Sequence, residues 1–390
     1  MASLSLRPQV GLSLLKLLLL ALLAVAIAGC VPRGRPGMPP PEQPDAQPDG
    51  PRLPPDETRN RVAVLVPLSG PNASLGQSIL NAANLALLDT GGQTIRITAY
   101  DTSRGAAAAA NEAIAEGNGL FLGPLLAEDV RAVAPIARGE NVPVIAFSND
   151  ITVAGDGVYV MGVNPGQTID RVVAFARSRN AQRFGALVPG GVYGERSAQG
   201  LRVAIEASGG ALSGLQSYER GAPAIRAAAT RLNAQGRHDA VLLADGAQIA
   251  AQAAPVVRQP SPQPRLLGTE LWAAEASIGT IAGLRGAWFA APTEANFAAF
   301  RNRYRARYSA APFRLSSLGY DAVLLTVRIA SDWSLGRRFP ERALRDAGGF
   351  AGVDGAFRFG RDGVAERALE VREVTATGTS VVSPAPRGFN

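Results

Sequence analysis

The stretch from Arg61 to Asp89, RVAVLVPLSGPNASLGQSILNAANLALLD, restricts the fold more than any other part of the chain. Val62, Ala63, Val64, Leu65 and Val66 form a short apolar run, the pattern of a strand covered on both faces. Pro67 ends it. Pro71 and Asn72 mark a turn, and the side chain of Asn72 or Ser74 is placed to cap the next helix by accepting from its free N–H groups. Leu75, Ile79, Ala82, Ala83, Ala86 and Leu87 then recur at spacings of three and four, which sets them on one helical face. In open α/β sheets the loop at the carboxyl end of such a strand faces the ligand crevice, so Ser69, Gly70 and Ser74 are candidates for a cleft wall. Turn formation and capping account equally well for the same residues.

The unit repeats. Strands are expected at 93–100, 119–122 and 142–147, separated by helices at 105–116 and 128–138, and the fourth strand runs into Ser148, Asn149 and Asp150. Gly162 to Gly166 interrupts the rhythm, which restarts with a helix at 168–179 and strands at 183–188, 210–218, 240–243 and 265–267. Strands alternating with helices of this length indicate parallel sheets with both faces covered. A strand at 286–291, helices at 296–308 and 317–331, and a strand-like alternation over 355–382 complete the chain. These elements predict an α/β protein of two Rossmann-like lobes with parallel central sheets, joined by crossovers near Val163, Ala291 and Gly352. The first lobe takes residues 60–163 with about 292–351, the second 164–291 with about 352–382, and 383–390 form a tail.

A length of 390 residues with 47% hydrophobic side chains suffices for two such lobes. The formal charge of +7 permits contact with anionic surfaces, but the arginines are scattered and no nucleic-acid-binding motif appears, so no nucleic-acid partner is expected. Catalytic patterns are missing as well. His238 is the one histidine and has no second ligand or triad partner at useful spacing; it is expected to be a loop residue. No phosphate loop, nucleophile elbow or dinucleotide fingerprint occurs. Glu128 and Asp129 open a helix, where the macrodipole explains them. The expectation is a binding protein without metal, cofactor or enzymatic activity.

The amino-terminal residues read as a delivery system. Arg7 and Lys16 precede an apolar run from Leu17 to Ala28, too short for a comfortable span and suited to a signal peptide over residues 1–29. Ala28-Gly29-Cys30 resembles the lipobox of bacterial lipoproteins, whose cysteine is acylated and becomes the mature terminus. Cys30 is the single cysteine, so no intramolecular disulfide forms and lipidation is its economical use. Residues 30–59, about one-third proline, make an extended tether that reaches roughly 90 Å. A lipid-anchored periplasmic protein is expected, on either membrane.

VAVLVPLSGPNASLGQSILNAANLAL, FLGPLLAEDVRAVAPIARGENVPVIAFSND, VPGGVYGERSAQGLRVAIEASGG and LGYDAVLLT together resemble the type I periplasmic binding proteins of the leucine/isoleucine/valine class, over nearly all of the chain from Arg61 to about Val374. The resemblance implies two lobes that close over a ligand through a three-stranded hinge. In the amino-acid binders a serine after the third strand holds the ligand carboxylate; the matching position here is Ala127, so that contact is missing. The loop Phe147-Ser148-Asn149-Asp150 keeps polar groups. Tyr193 matches an aromatic position of the second lobe, Glu270 matches the acid that holds the ammonium or else opens a capped turn, and Asp245 stands where an aromatic ligand residue is common. The implied ligand is an amino acid or a similar small molecule, delivered to an ABC permease. The lipobox, the tether and the FSND loop also resemble a lipoprotein branch of the same fold, the penicillin-binding-protein activators, whose partner is a peptidoglycan synthase.

Overall fold

The computed structural model describes residues 58–386, 388 and 389. The leader, Cys30 and all but the last two residues of the tether lie outside the described residues. The first sheet is built from β1 (Asn60–Val66), β2 (Ile95–Asp101), β3 (Phe121–Leu122), β4 (Val144–Ala146) and β5 (Val158–Val160), in the order β2-β1-β3-β4-β5 and parallel throughout. Its interleaved helices are α1 (Ala73–Asp89), α2 (Ala106–Ala115) and α3 (Ala127–Gly139). Strand β1 is central and its residues Val62 to Val66 have no exposed surface, as a doubly covered strand requires. Even side chains (Val62, Val64, Val66) enter one core with Ile79, Ala82 and Ala86 of α1; odd ones (Ala63, Leu65) enter another with Ala109, Ala113, Val130 and Val133 of α2 and α3.

The second sheet carries α4 (Pro165–Ser178), β6 (Arg183–Pro189), α5 (Val192–Ser208), β7 (Ala211–Tyr218), α6 (Ala222–Ala234), β8 (Ala240–Leu243), α7 (Ala247–Val257), β9 (Arg265–Gly268) and β10 (Trp288–Ala291). The chain then returns to the first core with α8 (Ala295–Tyr308) and α9 (Ser316–Ala330), followed by β11 (Phe350–Gly352), β12 (Gly355–Phe359) and β13 (Ala365–Arg367). It ends with β14 (Glu370–Thr375) and β15 (Gly378–Ser383) on the second sheet, whose order is β15-β14-β10-β9-β8-β6-β7, with β14 antiparallel to β10. Helices α4 and α5 cover one face, α6 and α7 the other.

The two lobes open with the same device. In each, a strand leads into a proline (Pro67, Pro189), the chain turns, and a glycine in the first turns of the helix lies on that proline's carbonyl. A Cβ on Gly76 would stand 1.8 Å from the oxygen of Pro67, and one on Gly194 1.7 Å from that of Pro189. Only glycine allows the helix to start this close to the strand end. Capping differs from expectation: Asn72 precedes α1, but its side chain makes no capping bond, and Ser74 is exposed in the first helical turn. Helix α4 starts earlier than periodicity suggests because Asn164 accepts from Gly166 N–H at 2.8 Å and Pro165 occupies the first position.

Three crossings join the sheets, at 161–164, 292–294 and 368–369. The third lies beyond the expected Gly352. Residues 350–367 form an antiparallel three-stranded sheet whose Phe350, Phe357, Phe359 and Ala365 belong to the first core, and Val364 bridges to Val160 at the edge of the first sheet. Two arginines tie the crossings together. Arg367 donates to the carbonyl of Met161 (2.6 Å), linking the first crossing to the third. Arg372 donates to Glu370 (2.6 Å) and to the carbonyl of Pro292 (2.6 Å) and pairs with Glu294 (3.3 Å), linking the second to the third.

His238 lies in the loop between α6 and β8, as expected, and is buried there. Its Nε2 faces the carbonyl of Leu232 at 3.0 Å and must therefore donate, which leaves Nδ1 to accept from the hydroxyl of Ser213 at 2.7 Å. It is a satisfied structural histidine. Among the described residues no helix is long and apolar enough to cross a membrane.

Candidate functional site

The carboxyl ends of the parallel strands in both sheets carry the residues expected to line a cleft. In the first lobe the loop after β1 is fastened to Asp101 at the end of β2. Leu68 N–H and the Ser69 hydroxyl donate to its two carboxylate oxygens at 2.8 Å each, Ser103 N–H donates at 3.0 Å, and the Ser103 hydroxyl donates back to the Ser69 carbonyl at 2.8 Å. Burial acts to raise the Asp101 pKa, but these donors outweigh it and hold the group at about 2. The Ser69 hydroxyl is thus committed to shaping the loop, and Ser74 points into no such network.

After β4, Ser148 is buried and its hydroxyl accepts from Asp150 N–H at 3.1 Å, while Asn149 is exposed. The strongest group here is Asp150, which sequence reasoning passed over. Its carboxylate accepts from Thr152 N–H (3.0 Å) and the Thr152 hydroxyl (2.7 Å), and is paired at 2.7 Å with Arg131 of its own lobe and at 2.7 Å with Arg196 of α5 in the other lobe. Burial opposes ionisation, yet Thr152 and the two guanidiniums keep its pKa below the ordinary carboxylate value. The Asp150 to Arg196 pair is a charge-assisted link directly between the lobes.

The first turn of α5 also delivers Tyr193 to Glu270. Thr168 donates to Glu270 Oε2 at 2.7 Å, and the Tyr193 hydroxyl lies 3.0 Å from Glu270 Oε1 and 2.9 Å from the hydroxyl of Thr269. Tyr193 has one proton, which goes to the carboxylate, so Thr269 donates to Tyr193. Burial raises the Glu270 pKa against the pull of Thr168 and Tyr193, and burial followed by the charge of Glu270 raises that of Tyr193. No arginine or lysine among the described residues pairs with Glu270. An acid so placed carries a desolvation cost that a cation would offset.

Asp245, after β8, is engaged elsewhere. It accepts from the Tyr218 hydroxyl (2.9 Å) and Gly246 N–H (2.8 Å), lies 3.4 Å from Arg220, and makes no bond to Glu270. Trp272, in the same turn as Glu270, donates its indole N–H to the Asp245 carbonyl at 2.9 Å. The structure therefore unites Tyr193 with Glu270 and adds Thr168 and Thr269 to them, sets Ser148 beside Asp150, and keeps Ser69 and Asp245 in separate networks. Beside α4 and α5 a cavity of about 670 Å3 is bounded by Asn149, Thr152, Gln167, Arg196, Arg367 and Phe389.

The model of the periplasmic binding protein family matches residues 60–379. The chain belongs to that family. Its fold is that of the type I members: it superposes on a putative branched-chain amino acid ABC transporter protein from Rhodospirillum rubrum with a TM-score of 0.73 at 20% identity, over 83% of this chain and all of that one. The leucine-binding protein LivK of Thermotoga maritima gives 0.62 at 19%, covering 84% and 98%. The carboxyl-terminal domain of LpoA from Haemophilus influenzae, a regulator of PBP1A, gives 0.68 at 18%, covering 83% and 100%. At these identities the likeness concerns the fold. An uncharacterised protein of Rickettsia prowazekii (strain Madrid E) is 26% identical over 174 residues, 44% of this chain and 47% of that protein, so the match spans about half of that relative. The family is one of extracytoplasmic binding proteins, and the expected two-lobed α/β fold is the observed one.

Proposed function

We infer that the chain is a solute-binding protein that closes its lobes on a small molecule bearing an ammonium group, for uptake by an ABC-type permease. The observation that carries this reading is Glu270. It is a deeply set acid, oriented by Thr168 and Tyr193 and without a cationic partner among the described residues. A ligand ammonium would supply the missing charge, and Tyr193 would pack beside it. The hinge supplies the motion, with ligand binding favouring the closed state. Titration calorimetry of the full chain against the amino acids should detect binding, and Glu270→Gln should weaken it about ten- to a hundred-fold, the range expected when a charge-assisted bond is lost. The same substitution should leave thermal stability equal or higher, because it removes a carboxylate that burial disfavours. Absence of binding by every amino acid would remove this reading.

The Asp150 to Arg196 pair favours a second reading, because it holds the lobes together with the protein's own charges. In it the domain is a lipid-anchored regulator that touches a peptidoglycan synthase through its surface, with Cys30 as the lipidated residue and residues 30–59 as the spacer. Fractionated cells should then retain the chain on membranes, release the Cys30→Ala form, and yield a penicillin-binding protein on purification of the former alone. A chain recovered from membranes without such a partner would count against it.

A further inference from the structure

At the end of the second lobe away from the cleft, arginines converge on an open pocket of about 600 Å3. It lies at the amino ends of β8 and β9, between the carboxyl end of α4 and the loop before β10, and Arg179, Arg258, Arg265 and Arg285 line it. Asp239 is the one carboxylate among its lining residues, and that group is already held by Arg183 (3.1 Å) and by the N–H groups of Gln182 (3.0 Å) and Arg183 (2.8 Å). Positive charge is therefore in excess.

Two of the four guanidiniums are fixed by the fold. Arg258 donates to the carbonyls of Gly283 and Arg285 at 2.8 Å each, which sets the loop that carries Arg285. Arg265 stacks over the ring of Trp288 at 4.2 Å, donates to the carbonyl of Gly286, and lies 3.8 Å from Glu373, itself hydrogen-bonded by the Trp288 indole. Arg179 lies over the ring of Phe175 at 5.2 Å, and Arg285 is exposed. Burial, followed by the charge of Arg265, pulls the pKa of Arg258 down. Like charges held together in this way are relieved by an anion, and a planar guanidinium matches the geometry of phosphate oxygens.

We propose that this pocket binds a multiply charged phosphate group, independently of the interlobe cleft. Two sources share that chemistry, a soluble phosphorylated compound and a phospholipid headgroup. The side chains of Arg179 and Arg285 stand at the rim and make few internal bonds, so Arg179→Gln/Arg285→Gln changes the charge without disturbing β8, β9 or α7.

The test uses the full chain. Calorimetry with pyrophosphate, and sedimentation with phosphatidylglycerol vesicles against phosphatidylcholine vesicles, are run on the wild type and the double variant at low and physiological ionic strength. At least one of the two anions should bind, more weakly as salt rises, and the double variant should lose about ten-fold or more in affinity for it. Pyrophosphate binding identifies a soluble ligand; arginine-dependent preference for the anionic vesicle without pyrophosphate binding identifies a headgroup. Thermal midpoints and solute binding at Glu270 should not change. No binding of either anion by the wild type, or equal binding by the double variant, would overturn the assignment. Neither result bears on the Glu270 reading, which is measured separately.

Discussion

Arg367→Met is expected to destabilise the chain by about 1–3 kcal/mol where Asp321 is ionised, the cost of leaving a buried carboxylate without a compensating positive charge. Arg367 is buried at the third crossing, where it shares the interior with Arg314, Asp321 and Asp354. Asp354 accepts from Arg314 and from the Ser317 hydroxyl (2.6 Å); Asp321 accepts from the N–H groups of Val353 (2.6 Å) and Asp354 (3.3 Å). Arg367 makes no ion pair with either carboxylate, and its Nε and Nη1 are buried without a hydrogen-bond partner, but its charge acts on both, so deleting it leaves Asp321 less compensated when ionised. The deletion also frees the Met161 carbonyl and loosens the tie between the first and third crossings. Burial, then the charge of Asp354, raises the Asp321 pKa. A carboxyl whose folded pKa is raised contributes most below its unfolded value and loses that contribution as pH rises through the folded value. The deficit of Arg367→Met should therefore be larger at pH 8 than at pH 5. Urea denaturation at both pH values checks this, and adding Asp321→Asn to the variant should recover part of the loss, since it removes the orphaned charge. A deficit that is small and independent of pH would mean the cluster is better solvated than its burial indicates.

The same cluster marks where sequence reading stops. Arg61 to Asp89 announces its own structure because local patterns agree: an apolar run, a proline, a turn and a helical stripe, all of which appear as β1, the loop and α1. The alternation over residues 355–382 announces only strands. Whether Phe357 and Phe359 face the first or the second core depends on pairing with distant chain, through Val160 and Val364, and period-two alternation carries no information about the partner. The site divides in the same way. Tyr193 and Glu270, singled out by the family resemblance just after β6 and β9, meet. Ser69 and Asp245 follow strands in the same way, but Asp101 and Tyr218 reach them first. Arg196 is one of many arginines, and its pairing with Asp150 follows from the helix register of α5: three residues after Tyr193, it projects from nearly the same face toward the opposite lobe. No local signal separates it from its neighbours.

Trp272→Ala should cost about 3–5 kcal/mol and reduce solute affinity in the molecules that remain folded. The side chain has no exposed surface, lies in the core beneath α6 and α7, and its ring centroid is 5.9 Å from that of Phe289. It stands in the turn Glu270–Ala274, its own N–H bonded to the Thr269 carbonyl at 3.1 Å and its indole N–H to the Asp245 carbonyl at 2.9 Å. One ring thus supports the backbone under Glu270 on one side and the loop after β8 on the other. Removing it opens a cavity below the turn that aims Glu270 at Thr168 and Tyr193, and strands a buried carbonyl. Trp272→Phe separates the two contributions: it keeps much of the volume but not the donor, so it should lose less stability than alanine while still leaving the Asp245 carbonyl unpaired. Denaturant titration gives the stabilities, and calorimetry on the folded fraction gives the affinities. If alanine weakens stability as expected but leaves affinity untouched, Glu270 is positioned by Thr168 and Tyr193 alone, and the indole serves the core without serving the site.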